Sequence, residues 1–167
     1  EIFDEQKRII EEKVPPQWRF GRLFTSSISN FNISAAFHRD AGNLEGCVNV
    51  IIAKKSHARG GNTTVPDYNA TMDSCDNSML VYPAWRNVHG VTPIVPLKEG
   101  GYRNSLVFYP LKAFNNYVKE TSRRGVDLST AITVIGFDPN YTFPVLTFNF
   151  GGFLGAEQVA KIDAMKT

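Results

Sequence analysis

The sequence predicts a mainly β fold with flanking helices, built around a double-stranded β-helix (jelly roll, cupin-like) core. Short segments of strand length recur through the chain, and glycine and polar turns separate them. The 167 residues are 43% hydrophobic, which is enough for a substantial core in one domain. We therefore expect a single domain over 1–167, with a helical segment at 1–16, a jelly-roll core at about 18–110, and a helix with strands at 111–167.

The individual elements follow from periodicity and from breaking residues. Ile2, Phe3, Ile9 and Ile10 recur at helical spacing before Pro15-Pro16, which predicts a helix over 2–13. A second helix is expected after Pro110, at Leu111, Phe114 and Val118, and a third at 156–165. Strand-like segments are expected at 18–24, 33–37, 47–53, 63–66, 79–82, 85–93, 102–109, 131–137 and 141–150.

Composition excludes several classes of partner. The formal charge of +2 is too small for the whole molecule to attract nucleic acid, so any basic surface must be local. The chain lacks an apolar run long enough to cross a bilayer, and its charged opening is not that of a signal peptide. Cys47 and Cys75 could pair, but they fit reduced thiols at least as well. These observations predict a protein without membrane association, intracellular rather than secreted: nuclear in a eukaryote, cytoplasmic in a bacterium or virus. They do not determine the oligomeric state, for which we expect a monomer.

His38 and Asp40 are the first candidate metal ligands. Residues two apart in an extended strand project to the same face, so an imidazole nitrogen and a carboxylate oxygen can meet one ion there. His89, far along the chain, supplies a second imidazole. Two histidines and one carboxylate form the facial triad of non-haem Fe(II) oxygenases. The alternatives are a surface histidine beside a turn-forming aspartate, and a zinc-dependent hydrolase with the same three ligands.

Arg103 and Ser105 are candidates for binding an anionic co-substrate. Arg103 begins a predicted strand, and a guanidinium can hold a carboxylate through two parallel charge-assisted hydrogen bonds. Ser105 faces the same way and could donate to that carboxylate. The alternative for Arg103 is a solvated cation at the start of a strand. A zinc hydrolase would leave Arg103 without a role.

The segment Lys54-Lys55-Ser56-His57-Ala58-Arg59 is the most basic part of the chain. Two interpretations of it remain open. A solvated hairpin loop is the commoner fate of such runs. If the substrate is polyanionic, this segment is the first candidate for phosphate contacts.

Four motifs in order carry a resemblance to a known family. They are His38-Arg39-Asp40-x-x-Asn43, the hairpin from Gly60-Gly61 to Pro66, the run from His89 to Pro93, and Arg103-x-Ser105-Leu106-Val107-Phe108-Tyr109. Together they resemble the 2-oxoglutarate and Fe(II)-dependent dioxygenases. Within them, the chain is most similar to the ten-eleven-translocation and base-J (TET/JBP) branch, which oxidises the methyl group of 5-methylcytosine or thymine in nucleic acid. The similarity covers residues 36 to 111.

The resemblance implies a role for each matching residue. His38, Asp40 and His89 would bind Fe(II), and Arg103 with Ser105 would bind the distal carboxylate of 2-oxoglutarate. O2 would be the second co-substrate. Asn43 would hydrogen-bond a pyrimidine flipped out of DNA, and Tyr109 would pack on its ring. The chain departs from the family pattern at Leu111, where relatives often have a base-contacting histidine, and it lacks their cysteine-rich zinc-binding extension.

Other functions remain possible on the same residues. An oxygenase of the same fold could act on a protein side chain or a small molecule. A jelly-roll binding module could keep the shape without the chemistry. Individually, Asn43 is typical of a turn and Tyr109 of a core. We therefore predict a dioxygenase catalytic domain because of the ordered set of two imidazoles, one carboxylate and one arginine.

Overall fold

The computed structural model describes residues 1–115, 131–138 and 145–165. In this part the chain is mainly β, with antiparallel sheets and a few helices. It divides into two compact units, Glu1–Leu111 and Lys112–Thr167. The single domain over 1–167 stays a prediction. No helix in the described ranges has both the length and the apolar character needed to span a membrane.

The first unit begins with helix α1 (Ile2–Lys13) and continues mainly as strands. Short 3-10 turns follow at Pro16–Trp18 and Pro66–Tyr68. The strands are β1 (Ser26–Phe31), β2 (Ala35–His38), β3 (Asn49–Ser56), β4 (Ala58–Gly60), β5 (Thr63–Val65), β6 (Ala70–Met72), β7 (Met79–Tyr82), β8 (His89–Val91), β9 (Ile94–Pro96) and β10 (Tyr102–Tyr109).

Most of these strands form two four-stranded antiparallel sheets. The first sheet has the order β1-β10-β3-β7, and the second has the order β2-β8-β5-β6. Strands β4 and β9 form a separate antiparallel pair. Apart from β5 and β6, neighbouring strands in the two sheets are far apart in sequence, so the sheets depend mainly on long-range pairing.

The two sheets meet at a cluster of polar side chains. Asn49 is in β3 of the first sheet, and Asp40 lies just beyond the end of β2 in the second sheet. The Nδ2 atom of Asn49 donates to Asp40 Oδ2 at 2.8 Å. The ring of Tyr82, in β7, lies edge-on to His89 of β8 with centroids 5.1 Å apart. Both contacts bring residues of the first sheet to the predicted metal ligands.

Helix α1 packs on the beginning of β3 through a buried amide. Gln6 is fully buried; its Nε2 atom donates to the carbonyls of Leu23 and Val48, and its Oε1 accepts from the Val48 amide. Ile9 and Ile10 are buried beside it. The prediction of a helix over 2–13 is confirmed, and its buried face is formed by residues 6, 9 and 10.

The predicted strand over 18–24 is wrong. The segment contains a single bridge, Phe20 to Phe24, around a turn at residues 21–23. Gly21 has a φ of +63°, which reverses the chain there. Alternation of aromatic and basic residues indicated a strand, but a glycine at positive φ ends one. The strand instead starts at Ser26, which the sequence analysis did not predict.

The second unit contains an antiparallel pair, β11 (Ala131–Asp138) with β12 (Val145–Phe153), and helix α2 (Ala156–Ala164). These elements confirm the strand predicted at 131–137 and the helix predicted at 156–165 to within one residue. Residues 112–115 are helical, as expected after Pro110. The rest of that predicted helix, and residues 141–144 of the last predicted strand, lie outside the described residues.

Candidate metal centre and anion site

His38, Asp40 and His89 form a group that could hold a metal ion. One ligand atom from each residue lies within 4.8 Å of the others. The distance from Asp40 Oδ1 is 3.4 Å to His38 Nε2 and 3.7 Å to His89 Nε2. The sequence analysis predicted these three ligands, and the structure brings them together.

Strand pairing explains why residues so far apart in sequence meet. His38 ends β2 and pairs directly with His89, the first residue of β8. The two imidazole centroids are therefore only 4.3 Å apart. Asp40 lies two residues beyond His38, and its backbone amide donates to the carbonyl of Ala84 at 3.0 Å, which fixes the chain as it leaves the sheet.

Backbone carbonyls orient both imidazoles for metal binding. His38 Nδ1 lies 2.7 Å from the Ala36 carbonyl oxygen, and His89 Nδ1 lies 3.0 Å from the Asn87 carbonyl oxygen. Because a carbonyl only accepts, both Nδ1 atoms must carry the proton. In the neutral ring the lone pair is then on Nε2, and in both residues Nε2 is the atom near Asp40. The tautomers are those that a metal site requires.

The two oxygens of Asp40 have different surroundings. Oδ1 lies near the two Nε2 atoms. Oδ2 instead accepts hydrogen bonds from the side-chain amides of Asn49, at 2.8 Å, and Asn43, at 3.3 Å. The carboxylate thus presents one oxygen to the metal group and the other to protein donors.

The two imidazoles titrate in opposite directions from their ordinary values. The pKa of His38 is raised, chiefly because Asp40 hydrogen-bonds its protonated form. Burial lowers the pKa of His89, whose side chain is only 5% exposed. The chemical consequence is that His89 is neutral, and thus ready to bind a metal, at lower pH than His38.

Arg103 is a buried cation with an unpartnered nitrogen. The residue is only 2% exposed, and its Nη1 atom donates to Ser105 Oγ at 2.8 Å. The Nε atom is buried without a hydrogen-bond partner, and no carboxylate among the described residues pairs with this guanidinium. Burial lowers its pKa. A buried, unpaired charge is costly, so this group is suited to an anionic ligand.

The surrounding backbone fixes Arg103 tightly. The Arg103 amide donates to Asn32 Oδ1 at 2.8 Å, and the Asn32 amide donates back to the Arg103 carbonyl at 2.9 Å. A Cβ placed on Gly61 would lie 3.1 Å from both Cγ and Cδ of Arg103. Gly61, which lies between β4 and β5, therefore leaves room for the arginine stem.

The strand register places Arg103 and Ser105 on the sheet face that is directed at the candidate metal ligands. Ser105 pairs with Ala53 and Arg103 with Lys55, and paired residues share a face. Asn49 lies four residues before Ala53 on the same strand, so it has the same orientation. Because Asn49 contacts Asp40, the Arg103 face of the first sheet is the face directed at the metal ligands.

Asn43 and Tyr109, the predicted base contacts, both lie near the metal group. Asn43 is 4% exposed, and its Nδ2 atom donates to both Asp40 and Asn49. Its two amide protons are thus used within the protein, and only its carbonyl oxygen remains for a substrate. Tyr109 is half-buried; its pKa is raised by burial and by the charge of Asp40. Their predicted contact with a base stays a prediction.

The sequence analysis missed Asn49, Tyr82 and Asn87. Asn49 contacts Asp40, Tyr82 packs on His89, and the Asn87 carbonyl orients His89. Asn49 had a detectable signal, because it is a single polar residue inside the apolar run from Cys47 to Ala53. Such a residue is normally buried with a specific hydrogen-bond partner.

The basic segment is largely paired with acidic side chains. Lys54 Nζ lies 3.2 Å from Asp76, and Lys55 Nζ lies 3.3 Å from Asp73. Both aspartates belong to the loop before β7. Phosphate contacts from these two lysines would compete with these ion pairs.

The geometry defines a class of site: a two-histidine, one-carboxylate group that could hold a metal ion, in a β-rich unit that also buries an arginine with no carboxylate partner among the described residues. No family model matches the chain, and no curated protein matches it.

Proposed function

We propose that this chain is an Fe(II)- and 2-oxoglutarate-dependent dioxygenase of the TET/JBP type, which oxidises the 5-methyl group of 5-methylcytosine or thymine in DNA. The observation that carries the proposal is the convergence of His38 Nε2, His89 Nε2 and Asp40 Oδ1. Two imidazole nitrogens and one carboxylate oxygen leave three adjacent positions on an octahedral ion, as oxygenases of this class require.

The surrounding contacts support a resident metal. Both imidazoles are fixed by backbone carbonyls with Nε2 available, and one carboxylate oxygen faces them. Outer hydrogen bonds of this kind orient the ligands of metal sites and raise their basicity. His38, His89 and Asp40 would hold the ion. A zinc hydrolase would use the same ligands, but it would give no role to the buried cation of Arg103.

The strand order supports the jelly roll. We number the eight strands of the two four-stranded sheets from 1 to 8 along the chain, leaving out β4 and β9. Strand 1 then pairs with 8, 2 with 7, 3 with 6, and 4 with 5, all antiparallel. This is the pairing of a long hairpin wound into two facing sheets, the double-stranded β-helix. It would place His38, Asp40 and His89 at the mouth of the barrel.

Arg103 and Ser105 would hold the distal carboxylate of 2-oxoglutarate. The unpartnered Nε of Arg103 and the hydroxyl of Ser105 are both buried on the face directed at the metal group. A carboxylate would neutralise the guanidinium and accept its free hydrogen bond. The rigid backbone around Arg103 would let this contact orient the co-substrate before the reaction.

The overall reaction would convert 2-oxoglutarate, O2 and the methyl substrate into succinate, carbon dioxide and the hydroxymethyl product. One oxygen atom enters succinate and the other enters the product. The metal supplies the redox chemistry that activates oxygen when it is bound. The residues of this chain bind the ion, orient the co-substrate and limit the access of water.

The nucleic-acid substrate comes from the motif resemblance. A methyl group inside a duplex is stacked against its neighbours, so the nucleotide must be flipped out, which costs a few kcal/mol. The Asn43 carbonyl and the ring of Tyr109 would then meet the edge and the face of the base. Phosphate contacts would make retention on DNA fall with salt, whereas a peptide substrate would give no counterion release.

The decisive experiment measures two products together. The chain is incubated with Fe(II), ascorbate, 2-oxoglutarate and DNA that contains either 5-methylcytosine or ordinary thymine, and nucleosides and succinate are quantified by mass spectrometry. We expect oxidised pyrimidine in step with succinate. The Asp40→Ala variant should produce neither, because it removes one of the three ligands. An exposed carboxylate outside the group, Asp73→Ala, is the matched control and should leave turnover intact.

The other outcomes distinguish the rival functions. Succinate without oxidised nucleoside would move the substrate to RNA, a protein side chain or a small molecule. Metal binding without succinate would favour a hydrolase or a binding module. Full turnover in Asp40→Ala would overturn the site assignment.

A further inference from the structure

The hydrogen bonds of Asp40 define how this carboxylate can bind an ion. Oδ2 accepts the Nδ2 protons of Asn49 and Asn43 at 2.8 and 3.3 Å. Oδ1 faces the two imidazole Nε2 atoms. Hydrogen bonds to an ionised carboxylate are among the strong ones in proteins, so turning Oδ2 toward the ion would require breaking both.

The two amides are themselves fixed in orientation. Asn49 is 2% exposed and Asn43 is 4% exposed, and Asn43 Nδ2 donates to Asn49 Oδ1 at 2.9 Å. Because Asn49 Oδ1 accepts this bond, its NH2 group is the end directed at Asp40. If the Asn49 amide were flipped, its oxygen would face the Asp40 carboxylate, and two hydrogen-bond acceptors would then lie against each other. The backbone amide of Asn43 also donates to the Asp40 carbonyl at 2.9 Å.

The number of oxygens that Asp40 offers decides how many positions remain on the ion. A carboxylate that binds through one oxygen leaves three positions on an octahedral ion, and one that binds through both oxygens leaves two. The proposed reaction would need three open positions for its co-substrates. A second metal-bound oxygen from Asp40 would therefore compete with the co-substrates.

We infer that Asn49, together with Asn43, is a positioning residue that holds Asp40 as a one-oxygen ligand. The inference rests on the proposed metal site and adds to it a function for two buried amides that do not touch the ion. It also gives Asn43 a role in the protein whether or not its carbonyl meets a base. Asn49 keeps the site open for co-substrate by occupying Oδ2.

The test compares two variants that each remove a buried amide. Asn49→Leu keeps the approximate size of the side chain and removes the donor to Asp40. Gln6→Leu removes the fully buried amide that holds the Val48 backbone, one residue before Asn49, and does not touch Asp40. Thermal melts of both variants measure the general loss of stability, so that an effect on the metal site can be separated from it.

Two readouts do not depend on turnover. Affinity for Co(II) alone, measured by calorimetric titration, should fall about 10- to 100-fold in Asn49→Leu, as is typical when an outer hydrogen bond to a metal ligand is lost. Gln6→Leu should bind Co(II) like the unsubstituted chain. Under anaerobic conditions and at saturating Fe(II), the visible charge-transfer absorption of the chelated 2-oxo acid should require more 2-oxoglutarate in Asn49→Leu.

Each outcome supports or overturns the inference. Unchanged Co(II) affinity and unchanged absorption in Asn49→Leu would overturn it while leaving the metal site intact. Equal losses in Asn49→Leu and Gln6→Leu would also overturn it, because the effect would then be one of fold stability. If the unsubstituted chain binds neither Co(II) nor Fe(II), the proposed function fails, and the inference fails with it.

Discussion

The metal group and the Arg103 site lie in the same unit but are completed to different degrees by the protein. Around Asp40, His38 and His89, both Nδ1 atoms and the Oδ2 oxygen have protein partners, and the remaining ligand atoms face one another. Arg103 is more deeply buried than His38 and Asp40, yet its Nε has no hydrogen-bond partner among the described residues. The protein has arranged the first site by itself, whereas in the second a donor is left that a bound anion would satisfy.

This difference has an energetic consequence. A buried guanidinium with an unmade hydrogen bond lowers the stability of the free protein, and a carboxylate that binds there recovers part of that cost. The metal ligands carry no comparable cost, because His38 Nδ1, His89 Nδ1 and Asp40 Oδ2 already have hydrogen-bond partners in the protein. Disturbing Arg103 should therefore change co-substrate binding, and disturbing the ligand contacts should change metal binding.

Substitution of Arg103 should give the largest difference between the effect on co-substrate binding and the effect on metal binding. Arg103→Met should raise the 2-oxoglutarate concentration needed for half-maximal succinate formation about 10- to 100-fold, the loss of a charge-assisted pair worth roughly 1.5–3 kcal/mol. Co(II) affinity without co-substrate should not change. The free variant should be no less stable than the parent, because an unpaired buried charge has been removed. Thermal melts and steady-state kinetics measure these three quantities.

Arg103→Lys is the matched control for charge. The lysine keeps the positive charge but loses the planar pair of donors. Its 2-oxoglutarate requirement should therefore lie between those of the parent and Arg103→Met. If Arg103→Met binds 2-oxoglutarate as well as the parent does, the anion site lies elsewhere, and the comparison between the two sites no longer holds.

Local patterns in the sequence predicted one part of the site, and long-range packing determined the rest. His38 and Asp40 could be paired from their spacing alone, because two residues define a strand face. His89 could be added only through the order of motifs, since its contact with His38 depends on the pairing of β2 with β8. The strand at 102–109 was predicted with the bounds that the structure shows, because it lies between the Gly100-Gly101 turn and Pro110.

Asn49 could not be assigned from sequence for a physical reason. Its contact with Asp40 crosses from one sheet to the other, and a register shift of one residue would turn its side chain to the opposite face. The run around Asn49 predicts a buried strand but does not specify the partner of its single polar residue. The failed strand at 18–24 has a local cause, because side-chain alternation does not reveal the positive φ of Gly21.

A smaller effect is expected at Gly61, which contacts the arginine stem. Gly61→Ala would place Cβ 3.1 Å from Cγ and Cδ of Arg103. Displacing a side chain from its preferred rotamer costs roughly 0.5–1.5 kcal/mol, so the 2-oxoglutarate requirement should rise about two- to tenfold. Metal affinity should stay the same, because Gly61 does not contact the three ligands.

Gly100→Ala is the matched control for backbone strain. Gly61 and Gly100 have φ values of +69° and +75°, but a Cβ on Gly100 would meet nothing within 4 Å. Both variants should lose roughly 1–2 kcal/mol of stability from the left-handed conformation. Only Gly61→Ala should alter co-substrate binding. A similar kinetic effect in both variants would assign the change to the backbone rather than to Arg103.

The smallest and most gradual effect is the pH dependence of the two sites. A proton on either imidazole competes with the metal, and the pKa of His38 is raised while that of His89 is lowered. Between these two pKa values the metal must displace one proton, from His38, so affinity for Co(II) should fall about tenfold for each unit of decreasing pH. The slope should become steeper once the pH falls below the pKa of His89.

The sign of this effect differs for the metal-free protein, which makes a useful check. The pKa of His38 is higher in the folded protein than the value of about 6.5 in the unfolded chain. Its protonation therefore stabilises the fold at pH values below about 6.5, and this contribution is lost as pH rises through the pKa of the folded protein. The lowered pKa of His89 acts oppositely, since stability falls as pH drops below about 6.5. The two contributions act on opposite sides of about pH 6.5, so the melting temperature without metal should be highest near that pH, whereas the stabilisation produced by Co(II) should increase as pH rises through both pKa values. Arg103 stays charged throughout, and 2-oxoglutarate binding at saturating metal should be flat over the same range. If Co(II) affinity and 2-oxoglutarate affinity declined in parallel as pH falls, the metal site and the Arg103 site would not be independent.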